Sequence, residues 1–250
     1  MEQETLDHLA GDWRIYQLKG GHRFSADDVL TAWTAARARP QAKQLLDLGS
    51  GLGSVGLLTL WRLPEARLTG VEVQEMSYRL ALKTLAFNRL EQRARFIHQD
   101  LRQPLDLGKF ELITGSPPYF PLGKATVSPH PQRAAARCEL HGDIFDYCRV
   151  AAAHLEADGR FVFVHAAADP RPEQAVARAG LKLLSRQDVL FRAHLPATVA
   201  LFVAGLEGQR RDPPAFIIRD RDGNWTDQYL EMRAEMGTTG LRRNALNGTQ

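Results

Sequence analysis

Four consecutive residues, Ser116-Pro117-Pro118-Tyr119, carry the densest chemistry in the chain. They close an apolar stretch, Leu112-Ile113-Thr114-Gly115, that reads as a β-strand. Two successive prolines fix two φ angles at about −65° and remove two backbone donors. The residue before each proline is pushed out of the α region. The expected result is a rigid bend with free carbonyls, an adjacent hydroxyl and an exposed aromatic ring. Such a bend can hold a flat, amine-bearing group by its edge and its face. It would also serve as an ordinary strand-to-loop turn.

Upstream, Leu45-Leu46-Asp47-Leu48-Gly49-Ser50-Gly51-Leu52-Gly53 runs an apolar strand into a glycine-rich turn, and a helical pattern follows with Val55, Leu57, Leu58, Leu60 and Trp61. Glycines here let the backbone approach a ligand closely. The helix N-terminus then offers free N–H groups to an anion. Two adenosine-bearing cofactors compete for this segment. Gly51-x-Gly53-x-x-Gly56 fits the dinucleotide fingerprint. Glu72, near the end of the next apolar run Arg67–Val73, stands at about the spacing of that fingerprint's ribose-binding acid. Asp47-x-Gly49-x-Gly51-x-Gly53 fits a different pattern, with an acid ahead of the turn and an extra glycine, and matches the chain better.

Taken together, the D-x-G-x-G-x-G segment, Glu72 closing the second strand, Gln99-Asp100 closing the third and Pro117-Pro118-Tyr119 closing the fourth resemble a class I S-adenosylmethionine methyltransferase that modifies an amino nitrogen. The resemblance covers residues 20–208 or so. Gly21-His22-Arg23-Phe24-Ser25-Ala26-Asp27-Asp28-Val29-Leu30 resembles the element before the glycine motif in the tRNA adenine-N6 methyltransferases that act beside the anticodon, of the tRNA1(Val) type. Ala136-Arg137-Cys138-Glu139 resembles that family's A-R-x-E segment, and Phe216 to Thr226 its closing strand and turn. Ser116 departs from the family, which carries Asn there.

The resemblance implies a cofactor, S-adenosyl-L-methionine, and a site for it. Asp47, Gly49, Ser50, Gly51 and Gly53 would surround its amino-acid half. Glu72, with Val73 beside it, would accept the two ribose hydroxyls, since a carboxylate can take both. Asp100, helped by the backbone of Leu101, would accept the adenine amino group, although a capping acid in a polar turn reads the same way. Ser116 would touch both cofactor and substrate. The catalytic group is Ser116, Pro117, Pro118 and Tyr119. The chemistry asks for no strong base and no metal: an aromatic amine has its lone pair spread into the ring, and two acceptors aimed at its hydrogens localise that pair. These acceptors are assigned to Ser116 Oγ and the Pro117 carbonyl, with Tyr119 stacking on a base taken out of its stack. Substrate RNA, tRNA by resemblance, would meet Tyr119, Lys124, Arg133 and Arg137, with Lys19, Arg23, His130, Arg242 and Arg243 as further cations; solvated loops carry such residues too. Arg137 alternatively pairs with Glu139 to support the active-site loop.

Serine offers a shorter, rotating hydroxyl where asparagine offers a directed carbonyl, and Ser-Pro-Pro-aromatic also resembles the turn of cytosine N4-methyltransferases. Other planar amines therefore compete with adenine N6: guanine N2 in ribosomal RNA, cytosine N4, and a glutamine amide in a release factor. Outside this chemistry stand an NAD-dependent dehydrogenase and a catalytically weakened nucleic-acid-binding homologue.

Strands expected at about 45–48, 67–73, 94–99 and 110–115 alternate with helices at about 54–62 and 75–91, which implies a parallel sheet covered on both faces. Helices at about 27–38, 140–156 and 172–179 and strands at about 160–165, 182–192 and 198–204 complete the pattern, the last two pairing antiparallel through the Pro196 turn. The fold class is α/β, Rossmann-like, and the resemblance makes the mostly parallel sheet seven-stranded. The 250 residues suit a single domain: a helical lead-in over about 1–40, a core over about 41–208 and a polar, basic, partly loose extension over about 209–250. A formal charge of +3 permits a nucleic-acid partner without requiring one. No apolar run is long enough to span a membrane, and Met1-Glu-Gln-Glu-Thr does not read as a secretory signal. The two cysteines, Cys138 and Cys148, show no metal spacing, so a cytoplasmic protein with reduced thiols and no obligate protein partner is expected. Trp33 and Trp61 read as packing residues.

Overall fold

The computed structural model describes residues 2–121, 123 and 128–239; Lys124, Arg242 and Arg243 lie outside them. The first half of the lead-in is a β-hairpin and not a helix: β1 (Glu4–Ala10) and β2 (Trp13–Leu18) pair antiparallel around Gly11-Asp12. Gly11 has φ +54°, a turn geometry that a glycine supplies without strain, and Gly-Asp between two runs is a hairpin signature. The helix α1 (Ala26–Ala38) follows, opened by a capping box in which Ser25 and Asp28 satisfy each other's backbone.

The next units are β3 (Gln44–Leu48), α2 (Ser54–Arg62), β4 (Arg67–Glu72), α3 (Glu75–Asn88), β5 (Ala94–His98) and β6 (Phe110–Gly115). Within the 120–138 link, α4 (Pro131–Arg137) is helical. Then come α5 (Ile144–His154), β7 (Leu155–Ala166), α6 (Arg171–Arg178), β8 (Lys182–Leu190), β9 (Val199–Gly205), β10 (Phe216–Ile217) and α7 (Asp227–Glu235). The main sheet runs β10-β8-β9-β7-β6-β3-β4-β5, and only the pairs made by β9 are antiparallel. It has eight strands rather than seven. The additional one is β10, pinned because Phe216 is fully buried and meets Trp33 edge-on, with centroids 5.6 Å apart.

The C-terminal extension is correspondingly ordered over its described part. Thr226 caps α7, whose Tyr229 and Met232 are buried with Met236 beyond it. That i, i+3, i+7 spacing is a helix stripe. Trp33 Nε1 donates to Glu235 at 2.7 Å, and Trp61 packs over Gly11 and Gly237. Both tryptophans thus lie in the body of the protein, away from the cavity described below.

Alternation along the strands divides the core in two. In β7, Val162 and Val164 face the layer of α1, α2, α3 and α7, while Phe161 and Phe163 face α5 and α6. Phe161, Phe163 and Phe202 stack in series at 4.8 and 4.9 Å. Strands buried on both sides need apolar residues at every position, which is why they read as unbroken runs. Among the described residues no helix is long and apolar enough to cross a membrane.

Phe163→Ala opens a hole in the middle of that stack, so a loss of about 3–5 kcal/mol is expected. It would be read as a lower urea midpoint at unchanged slope.

Candidate active site

The strand order reverses between β3 and β6, because β4 and β5 lie on one side of β3 and β6 and β7 on the other. In parallel α/β sheets the crevice outside such a reversal is where ligands bind. A cavity of about 910 Å³ opens there, within the size range of small-molecule sites. The glycine turn forms one side and the Ser116-Pro117-Pro118-Tyr119 turn another. Asp47 and Thr114, 67 residues apart and each just ahead of one of these turns, meet directly beneath it.

The glycine turn is shaped by what surrounds it. Gly49 has φ +59°, and a Cβ there would stand 1.9 Å from the Tyr147 hydroxyl on α5. Nothing lies within 4 Å of where a Gly51 Cβ would project, so the backbone is bare toward the cavity. Gly53 is turned inward, where a Cβ would meet the Phe96 ring at 2.6 Å, and it does not line the cavity. Ser50 anchors the turn, its Oγ donating to the Asp47 carbonyl at 2.8 Å and its N–H to the Val71 carbonyl at 2.9 Å. Gly53, at the N-cap of α2, brings no side-chain cap; Asp47 takes the Gly56 N–H, and the N–H groups ahead of it in that first turn remain for an anion.

Two acids, Asp47 and Glu72, line the glycine-turn end of the cavity, and Asp100 stands outside it. Asp47 is buried; one oxygen accepts from Thr114 Oγ1 at 2.7 Å and the other from the Gly56 N–H at 3.1 Å. Burial pushes its carboxyl up to about 7, against the pull of those two bonds. Glu72 is also buried and raised by burial. It accepts from the N–H groups of Gly51 and Gln74, each at 2.7 Å. A carboxylate has about four lone-pair positions, so Glu72 keeps acceptor capacity for a ligand. Val73 and Leu101 line the cavity, as does Gln99. Asp100 does not: Arg102 takes both its oxygens, with Nη2 at 2.6 Å, and these bonds hold its carboxyl below the usual range. The expected adenine acceptor pairs here with Arg102, two residues on, and the cavity wall at this point is Gln99 and Leu101.

At the other end, Ser116, Pro117, Pro118 and Tyr119 all line the cavity. Tyr119 is not the freely exposed ring expected. It is half-buried, its hydroxyl donates to Asp27 Oδ2 at 3.3 Å, and its ring leans on His165 with centroids 5.2 Å apart. Burial, then the charge of Asp27, raise its phenol well above the ordinary value. His165 is fully buried, which lowers its imidazole to about 4 and keeps it neutral. The turn is also held from behind. Arg171 reaches the Tyr119 carbonyl at 3.4 Å while bonding Asp169 and, at 2.7 Å, Glu139. Glu139 thus pairs with Arg171 and not with Arg137, whose guanidinium lies over the Phe120 ring at 5.6 Å. Arg133 and Arg137 are exposed on α4 and line the cavity. Arg23 lines it too and is paired with Asp7, while His130 is engaged by Glu2. Lys19 is exposed and does not line the cavity.

The sequence assigns no site role to Asp27 and Asp28, yet both belong here. Asp28 spans the site: Oδ2 caps α1 through Ser25 N and Oδ1 accepts from Ser54 Oγ at 2.7 Å on α2. Asp27 lines the cavity with its carboxyl pushed up to about 6 by burial and then by the neighbouring Asp28 charge. The capping pattern Ser25-x-x-Asp28 is the available signal, because it assigns one acid of the doublet to the helix and leaves the other over. Tyr147 and Arg171 carry no such signal.

The arrangement is that of class I methyltransferases. The family model "Methyltransferase small domain" matches residues 30–178, and the chain belongs to that family. It is 27% identical over 223 residues to a tRNA1(Val) (adenine(37)-N6)-methyltransferase of a Flavobacteriaceae bacterium (strain 3519-10), covering 88% of this chain and 94% of that protein. It is 26% identical to a release factor glutamine methyltransferase of Fusobacterium nucleatum, over 48% of this chain and 36% of the other. Among solved structures, a "predicted O-methyltransferase" of Agrobacterium tumefaciens has the same fold, with TM-score 0.60 at 17% identity over 84% of this chain and 96% of that one.

Asp27 binds a proton in the folded state at pH values where the unfolded chain has lost it, between about 3.8 and about 6. It therefore costs stability as pH rises through that window. Asp27→Asn keeps an acceptor for Tyr119 and removes the cost. Its melting temperature relative to the parent should rise from pH 4 to pH 7, by the equivalent of on the order of 1–2 kcal/mol. A difference that stays flat in thermal melts across that range would contradict the assignment.

Proposed function

We infer that the chain transfers a methyl group from S-adenosyl-L-methionine to an exocyclic amine of RNA, adenine N6 in a tRNA beside the anticodon. One observation carries this reading: the bare glycine turn and the Ser116-Pro117-Pro118-Tyr119 turn open onto one cavity. Similarity to an adenine(37)-N6 enzyme over 88% of the chain supports the choice of substrate, whereas the glutamine methyltransferase matches over only 48%.

The residues present fit the cofactor. The α2 N–H groups that Asp47 leaves open suit its carboxylate, the bare Gly51 backbone allows close approach, and Glu72 keeps acceptor capacity for the ribose hydroxyls. Val73, Gln99 and Leu101 give the adenine an apolar bed with one amide. When bound, the cofactor supplies an activated methyl on a sulfonium. Everything else falls to the chain. Ser116 Oγ and the Pro117 carbonyl accept from the target NH₂ and draw its lone pair out of conjugation. Tyr119, steadied by Asp27 and His165, gives the base a face to rest on. Pro117 and Pro118 hold the acceptors still, so rate enhancement comes from alignment. The amine proton becomes acidic once the nitrogen carries the methyl; Asp27, with its carboxyl near 6, is the cavity acid suited to receive it.

The direct test is incubation with labelled cofactor and total tRNA, followed by nucleoside analysis by mass. N6-methyladenosine is expected. N4-methylcytidine or N2-methylguanosine would reassign the base, and label only in protein would reassign the substrate class. Cofactor binding without any transfer would mark a silent homologue.

Glu72→Gln should weaken cofactor binding about 10- to 100-fold in calorimetry, the loss of charge-assisted bonds to two hydroxyls. Ser116→Ala should lower kcat far more than cofactor affinity, and Ser116→Asn should keep or raise kcat. Normal turnover by Ser116→Ala would remove the hydroxyl from the chemistry.

A further inference from the structure

Phe191 stands where the cavity meets solvent. It lines the same cavity as Ser116 and Tyr119, yet it is 39% exposed. It begins the loop between β8 and β9, and that loop is stitched to a second one. Ile218 N–H donates to the Leu190 carbonyl and Ala193 N–H to the Arg219 carbonyl, both at 2.9 Å. The second loop is the turn around Gly223. It presents Trp225, 40% exposed, with the Arg219 guanidinium 3.4 Å from its ring centroid. Arg192 bridges the two, its Nη2 lying 3.8 Å from where a Gly223 Cβ would be. Leu195, 45% exposed, continues the same surface.

The charges on this double loop do not cancel evenly. Arg192 and Arg221 are exposed. Asp220, bonded within its own turn to Asn224 N at 2.9 Å and Nδ2 at 3.2 Å, and the exposed Asp222 oppose them, so with Arg219 the two loops set three guanidinium groups against two carboxylates. Across the cavity mouth, Arg133 and Arg137 are exposed on α4. Guanidinium groups therefore flank the opening on two sides, and an aromatic ring stands at its edge. Interleaved rings and guanidinium groups suit a chain of bases and phosphates; a peptide brings no regular row of anions to meet them.

We propose that the β8–β9 loop and the Gly223 turn form a platform for single-stranded RNA, on which the base next to the one drawn into the cavity stacks against Phe191 while Arg192 and Arg221 hold flanking phosphates. The proposal rests on the RNA-methylating reading above and assigns that reading a docking surface. Phe191 acts in substrate binding and not in the transfer itself. Trp225 and Arg219 form the rigid back of the platform, and Trp225 is placed to report on occupancy.

The test uses the full chain, S-adenosyl-L-methionine, total tRNA and an RNA stem-loop with an unpaired adenine in its loop. Phe191→Ala should raise KM for RNA roughly tenfold, with cofactor affinity by calorimetry and melting temperature unchanged. Phe191→Trp should restore the parent KM. Arg192→Ala with Arg221→Ala should flatten the dependence of RNA affinity on salt, by about one unit of log–log slope for each phosphate no longer held, whereas Phe191→Ala leaves the slope alone. RNA should quench intrinsic fluorescence in the parent and much less in Trp225→Phe. If the parent methylates RNA and Phe191→Ala does so with the parent KM, the platform is wrong and the activity stands. If the parent binds cofactor but neither binds nor methylates RNA, the activity and the platform both fall.

Discussion

The carboxylate of Asp47 holds the site together. It sits at the end of the central strand, buried, with Thr114 Oγ1 at 2.7 Å on one oxygen and the Gly56 N–H at 3.1 Å on the other. The first bond crosses to β6 two residues before Ser116. The second reaches the first turn of α2, just beyond the glycines. One side chain thereby fixes the distance between the turn that can cradle a cofactor and the turn that can present an amine. A buried carboxylate stripped of one partner costs about 1–3 kcal/mol or more, so the two turns cannot drift apart independently. Its raised pKa, about 7, is the cost of using a charged group as a rivet in an apolar place. A cationic ligand nearby would lower that cost by favouring the ionised form.

A second brace comes from far up the chain. Asp28 joins α1 to α2 through Ser54, and Asp27 joins α1 to Tyr119 across 92 residues of sequence. Gln132 does the same from α4, accepting from the His22 N–H at 3.1 Å and donating to Ser77 at 3.0 Å on α3. These contacts close the segment around residues 21–28 over the cavity. They bury the consecutive acids Asp27 and Asp28 there; burial, and then the Asp28 charge, raises the Asp27 carboxyl to about 6 beside the proposed amine site.

How much of this is legible in the sequence follows from how local each signal is. The parallel strands are legible because burial on both faces makes them largely apolar, as in Phe161–Val164 and, with Asp47 the exception, Leu45–Leu48. The two turns are legible because glycine and proline restrict or release the backbone whatever lies around them. The first hairpin is not, since Glu4 and His8 on one face and Asp7 on the other interrupt the apolar pattern, and the Gly11-Asp12 turn is a weak signal without clear strands on either side. The stretch after 209 reads as loose because Tyr229, Met232 and Met236 are spread thinly among charges. Pairings between side chains are the least legible. Arg137 and Glu139 are neighbours in sequence, but Glu139 points to Arg171, 32 residues away. Asp100, read as a ligand for a base, answers to Arg102 next to it.

The serine at 116 is best understood through what holds the turn that contains it. Arg171 grips the Tyr119 carbonyl, Phe120 N–H donates to the Arg137 carbonyl and Glu139 N–H donates back to the Phe120 carbonyl, at 3.4, 3.1 and 3.1 Å. Asp27 and His165 hold the ring. None of these backbone bonds involves the side chain at 116, whose hydroxyl reaches the Tyr119 phenol instead. In the proposed reaction the Pro117 carbonyl is then the fixed acceptor, and the residue at 116 supplies the adjustable one. An asparagine there would dictate the direction of both hydrogen bonds to the amine. A serine dictates one and lets the base settle against a hydroxyl that turns to meet it. Precision given up in the acceptor pair must then be recovered elsewhere, from the face of Tyr119 and from whatever grips the RNA outside the cavity.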